Sequence, residues 1–220
     1  MTKPNMLPPQ IPTLNTARIE TLADGVFAIV MTLLVFDIVV PAQQLTDELG
    51  GLLPALLTQI PNILSYVISF IILGVFWVAH HNQFFFIKRT DRTLMWINII
   101  FLMCVSLVPF SAALFSSYGT DQVAVVFYDL NLIAVGLVLY AHWMYASRDS
   151  HLLESPINPE VKRTVIRRIL LPPVLYIIAI IFSFISVEVS IFIDILVPVL
   201  YVLPNRIDRQ FRAPRNEVME

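Results

Sequence analysis

Three groups of residues in this chain have types and spacings that could do chemistry. Asp24 lies near the start of the first apolar run, and an ionisable group at such a place needs a partner. Trp77, His80 and His81 end the second run at a comparable depth, and their indole and imidazole N–H groups can donate to a carboxylate. Arg18 is six residues from Asp24, which puts the two on different faces of a helix and argues against a pair between them. Asn98, Asp129 and Asp194 are the second group, polar side chains inside other apolar runs. They are expected to hydrogen-bond between helices, or, with Asp24, to serve an ion- or proton-coupled carrier. The third group is Ile29, Thr32, Leu33 and Phe36, which share an arc about 100° wide on a helix. A bulky apolar stripe with one hydroxyl is by itself more often packed or lipid-facing than functional.

Metal and enzyme chemistry find little footing. The rings of His80 and His81 diverge by about 100° on a helix, and no third ligand has suitable spacing, so no metal is expected. A membrane enzyme built on the two histidines and nearby acids lacks a nucleophile pattern. No cofactor is expected.

The elements that must position these residues are apolar spans. Hydrophobic residues make up 57% of the 220 positions and the mean hydropathy is +0.77, well above an ordinary soluble domain. A bilayer is the implied solvent, and nucleic-acid binding has no support. Spans of about 20 residues are predicted from Arg18 to Val40, from Pro54 to Ala79 with an interruption at Pro61 and Asn62, from Thr93 to Leu114 with Pro109 near its far end, and from Gln122 to Tyr145. The stretch from Ile169 to Pro204 is too long for one helix, and Glu188 is the expected point of division into two. The predicted fold is therefore all-α, with six transmembrane helices, His80 to Arg92 and Ala146 to Arg168 serving as polar connections. A tail of residues 1–17, a membrane domain of residues 18–204 and a basic tail of residues 205–220 complete the organisation.

Charge orients this arrangement. All fourteen Lys and Arg residues fall on one side of the six-span topology: Lys3 and Arg18, then Lys88, Arg89 and Arg92, then Arg148 to Arg168, then Arg206 to Arg215. The positive-inside rule makes both termini cytoplasmic. Acidic residues occupy both sides, with Asp37, Asp47, Glu48 and Asp121 facing out. The single cysteine, Cys104, excludes an intrachain disulfide and is expected to pack between helices. The first run carries Asp24 and no small-residue cleavage site, so it reads as a retained span and not a signal peptide. No internal repeat is evident, which weighs against paired inverted-repeat folds.

At its first helix the chain resembles the transmembrane protein 175 potassium channels, whose signature is Arg, three residues, then Phe-Ser-Asp. Here Arg18 and Asp24 keep the signature's places, while Leu22 and Ala23 stand for Phe and Ser. Phe76-Trp77-Val-Ala-His80-His81, Lys88-Arg89-Thr-Asp91-Arg92 and Trp96-Ile-Asn98 extend the likeness. It covers nearly the whole chain.

The resemblance implies a homotetramer whose first helices surround the ion path. It maps the constriction onto Ile29, with further layers at Leu33 and Phe36, and links Thr32 to a preference for potassium over other monovalent cations. It makes Arg18, Leu22, Ala23, Asp24, Trp77, His80 and His81 an inter-helix network, and a single six-helix unit implies the prokaryotic form, in the bacterial cell membrane. No TVGYG-like segment occurs in the sequence, so a carbonyl-cage filter is not expected. Four isoleucines would instead form an apolar ring that dewets when narrow. Asp37 ends this helix and would raise the local cation concentration at the outer side. A secondary transporter using Asp24, Asp129 or Asp194 is the competing class.

Overall fold

A computed structural model describes residues 15–148, 152–155 and 157–202. Both predicted tails lie largely outside the described residues, including Lys3, Arg206, Arg209, Arg212 and Arg215. The described residues form helices α1 (Ala17–Leu33), α2 (Gln43–Glu48), α3 (Leu52–Leu57), α4 (Ile60–Phe86), α5 (Arg92–Ser106), α6 (Val108–Tyr118), α7 (Gln122–Ala146), α8 (Pro159–Ser183) and α9 (Val187–Val202), with a 3₁₀ turn at Leu34–Asp37.

Among the described residues, five segments are long and apolar enough to cross a membrane: Ala17–Asp37, Ile60–Phe86, Arg92–Tyr118, Gln122–Ala146 and Pro159–Ser183. Of the helices outside these segments, α2 and α3 have six residues each, and α9 has 16, below the usual spanning length of about 20.

Several predicted boundaries move, each for a local reason. His80 to Phe86 continue α4, because no proline or glycine interrupts them and His80, Gln83 and Phe84 fall on one buried face. The connection shrinks to residues 87–91, which pair with the connection between α7 and α8 through Ile87 and Leu153. In the same way α8 begins at Pro159, behind Asn158, whose side chain accepts from Glu160 N at 2.9 Å. Lys162, Arg163, Arg167 and Arg168 therefore ride on a helix instead of a loop.

Prolines divide the rest. Pro109 lies in the first turn of α6, where its missing N–H costs nothing but the helix before it must end. The third predicted span is accordingly two segments. Pro61 starts α4 in the same fashion, and the predicted outer loop holds α2 and α3, joined by Gly50 and Gly51 at φ of 77° and 144°. The last turn comes at residues 184–186, just before the predicted Glu188, which sits in the first turn of α9.

The core is organised around α7, which packs against α4, α5, α6, α8 and α9. Tyr128, Leu132, Leu139 and Trp143 along it are almost wholly buried. Gly136 faces the tandem prolines of α8, and a Cβ there would overlap the Pro173 ring. Close approach of the two helices thus requires glycine at this position. At the other side, α1 packs on α4, α5 and α6.

Candidate functional site

Helix α1 has two unlike faces. Ala23, Phe27, Val30 and Leu34 enter the core, with Phe27 against Phe101 at a ring separation of 5.9 Å. The opposite face is left uncovered by the subunit: Ile29 is 61%, Leu33 43% and Phe36 76% exposed, and Leu22, Gly25 and Thr32 are also exposed. All of them lie within one sector of the helix at about 100° per residue.

Thr32 is the one polar side chain of the stripe. Its hydroxyl lies 3.0 Å from the Ala28 carbonyl and 2.8 Å from the Ile29 carbonyl, donating back to its own helix. Because the single proton is used in this way, the oxygen keeps its lone pairs free as acceptors. A hydroxyl in this state can meet a cation but has nothing left to donate outward.

Asp24 sits about 140° around the helix from Ile29 and accepts from Trp77 Nε1 at 2.8 Å. His81 stacks on the Trp77 ring at 5.7 Å and 23°, one turn further along the same face of α4. His80 does not join them. It points inward, hydrogen-bonded to Asn98 Oδ1 at 2.8 Å and stacked on Phe101 at 5.2 Å with an interplanar angle of 2°. The predicted group therefore separates into an outer set of Asp24, Trp77 and His81 and an inner set of His80 and Asn98. The divergence of neighbouring residues on a helix is the cause. Arg18 and Leu22 are exposed, and Ala23 is fully buried where the family signature has serine.

The inner set is larger than the sequence pattern suggested. His142 Nδ1 lies 2.6 Å from Gln83 Oε1, Gln83 Nε2 donates to the Leu139 carbonyl at 3.1 Å, and the His80 and His142 rings are 5.7 Å apart. His142 lies in an apolar run just as Asn98 and Asp129 do, so the criterion that selected those residues also selects it. Asp129 on α7 and Asp194 on α9 are both buried. They lie away from the exposed face of α1. Cys104 is half-buried on α5.

At the outer end, Asp37 is half-buried, and its Oδ2 accepts from the Ser116 hydroxyl on α6. Asn62 Nδ2 donates to the Asp37 carbonyl at 3.1 Å and to Gln59 Oε1 at 3.0 Å. No cluster of three or more metal-ligating side chains occurs among the described residues.

Known proteins are similar to this chain in sequence and fold. The family described as the endosomal/lysosomal potassium channel TMEM175 matches residues 18–109. A potassium channel of Streptomyces collinus is 39% identical over 158 residues, covering 70% of this chain and 75% of the relative. One from Chamaesiphon minutus is 34% identical over 192 residues, covering 86% of this chain and 94% of the relative. The crystal structure of a lysosomal potassium-selective channel TMEM175 homolog from Chamaesiphon minutus superposes with a TM-score of 0.76 at 34% identity, covering 86% of this chain and 96% of that one. The class is that of helical membrane channels. This chain belongs to the TMEM175 family.

Proposed function

We propose that this chain is one subunit of a potassium-preferring cation channel in which four copies of α1 surround the ion path. The observation that carries the reading is the uncovered apolar face of α1, with Thr32 as its single hydroxyl. A helix that buries one face in its own subunit and leaves Ile29, Leu33 and Phe36 open is suited to meet symmetry copies around an axis. Each subunit crosses the membrane six times, α9 making the last span, with both termini on the cytoplasmic side, in a bacterial cell membrane. The segregation of all fourteen basic residues supports this orientation.

In this reading Ile29 forms an apolar ring that excludes water when narrow and passes an ion with part of its hydration shell when dilated. Leu33 and Phe36 form further layers. Thr32 presents lone pairs that replace some of the lost water, and selectivity is modest because there is no TVGYG-type carbonyl cage. Asp37 adds negative charge at the outer mouth, where the attraction acts over several ångströms. Ala23, Asp24 and Trp77, with His81 stacked on the indole, hold the pore helix to its neighbours, and His80 braces α4 against α5 through Asn98, while Arg18 and Leu22 stay on the exposed side of α1. Other monovalent cations pass more weakly.

The secondary-transporter reading is not favoured, since the relatives are named as channels and Asp129 and Asp194 lie off the proposed path. Single-channel recording of purified protein under potassium and sodium gradients tests the proposal. Discrete openings with a reversal potential on the potassium side are expected; saturable flux driven by pH would overturn it.

A further inference from the structure

The outer end of α1 does not simply fray. Leu33 has φ −65° and ψ −27°, Leu34 has φ −56° and ψ −29°, both 3₁₀ values, and Ile38 N donates to the Val35 carbonyl at 3.1 Å. In an α-helix Phe36 would be turned about 60° from Leu33. In 3₁₀ geometry, residues three apart eclipse, so the tighter turn brings Phe36 over Leu33, within the same sector as Ile29.

Nothing in the local sequence demands this turn, because Leu34-Val35-Phe36-Asp37 contains neither glycine nor proline. What holds it comes from other helices. Ser116 donates to the Asp37 carboxylate from α6, and Asn62 donates to the Asp37 carbonyl from the start of α4. A carboxylate is the strongest acceptor within reach of the Ser116 hydroxyl. The carbonyl that Asn62 caps belongs to the last residue of the 3₁₀ turn, where no further helical N–H follows. Both donors are half-buried inside the subunit and lie apart from the exposed stripe.

We propose that Ser116 and Asn62 are positioning residues that clamp the Leu34–Asp37 turn and thereby hold Phe36 stacked over Leu33 as the outermost layer of the ion path. The proposal rests on the reading that α1 lines that path. It makes the outermost pore layer a property of three helices. Through Asp37, the packing of α4 and α6 sets how far the Phe36 ring projects.

The test uses the full chain carrying Cys104→Ser and Phe36→Cys, reconstituted in planar bilayers, with a charged, impermeant methanethiosulfonate reagent applied from the outer side. Block of the current in this parent is expected. Ser116→Ala and Asn62→Ala should each slow the block by about tenfold or more, the population shift that goes with losing one such hydrogen bond, and Ser116→Thr, which keeps the hydroxyl, should restore the parental rate. Should Ser116→Ala not assemble, Asn62→Ala carries the comparison. Parental modification rates in assembled alanine variants would overturn the clamp and leave the pore reading standing. An unmodified current in the parent would overturn the pore reading, and the clamp's role in conduction with it.

Discussion

The Trp77 indole donates to the Asp24 carboxylate over 2.8 Å, tying α1 to α4 at a point well away from the apolar stripe. The bond lies on the outer surface of the subunit, with His81 stacked behind the indole. Its proposed role is to fix the rotation of the pore helix. Trp77→Phe removes the donor while keeping an aromatic ring, and Asp24→Asn weakens the acceptor. Each should lower the stability of the detergent-solubilised assembly by about 1 kcal/mol, read as a fall in Tm and tetramer yield, with reversal potentials little changed in the surviving channels. Normal assembly together with loss of a proton-coupled flux would favour the transporter instead.

Short-range features of this fold were legible because they depend on neighbours along the chain. The apolar runs, the two faces of α1 and the proximity of Trp77 to Asp24 all follow from helical phase and span depth. That His80 and His81 part company follows from the same phase, given that α4 continues through them. Asp37 is different. Ser116 lies 79 positions from it and Asn62 25 positions, and no periodicity reports which hydroxyl or amide a distant helix will bring to a carboxylate. The 3₁₀ turn escaped for the same reason, since its cause is tertiary.

Gly136 and Gly74 make a matched pair of tests for the close approach of α7 and α8. A Cβ at Gly136 would overlap the Pro173 ring, whereas at Gly74 it would meet nothing within 4 Å. Gly136→Ala should therefore destabilise the protein by about 1–3 kcal/mol through overpacking. Gly74→Ala should be neutral, or gain up to about 1 kcal/mol from helix propensity. Thermal unfolding of both variants in the same detergent decides it; equal midpoints would mean that α8 yields without cost.

Orientation is open to chemical labelling. In a Cys104→Ala background, single cysteines at Asp47, Lys88, Asp121 and Arg163 all occupy exposed positions, so reactivity should report sidedness and not burial. Impermeant maleimide added to intact cells should modify positions 47 and 121 and spare 88 and 163. Modification of 163 from outside would rule out the six-span topology with cytoplasmic termini.

Ile29 and Thr32 are expected to control different aspects of conduction although they share one face of α1. Ile29→Asn replaces an apolar group, 61% exposed in the subunit, by an amide that binds water. Four such amides around an axis would hydrate the narrow point, so the closed state should leak cations. Thr32→Ala leaves the width of the path nearly intact but removes the acceptor oxygen whose proton is already committed to the Ala28 and Ile29 carbonyls. The potassium-to-sodium permeability ratio should then fall by about twofold to tenfold, the worth of one exchanged hydration contact, without loss of conductance. Bi-ionic reversal potentials and the basal current of the two variants separate these effects. A tetramer in which neither quantity moves would mean that α1 faces lipid and another helix carries the ions.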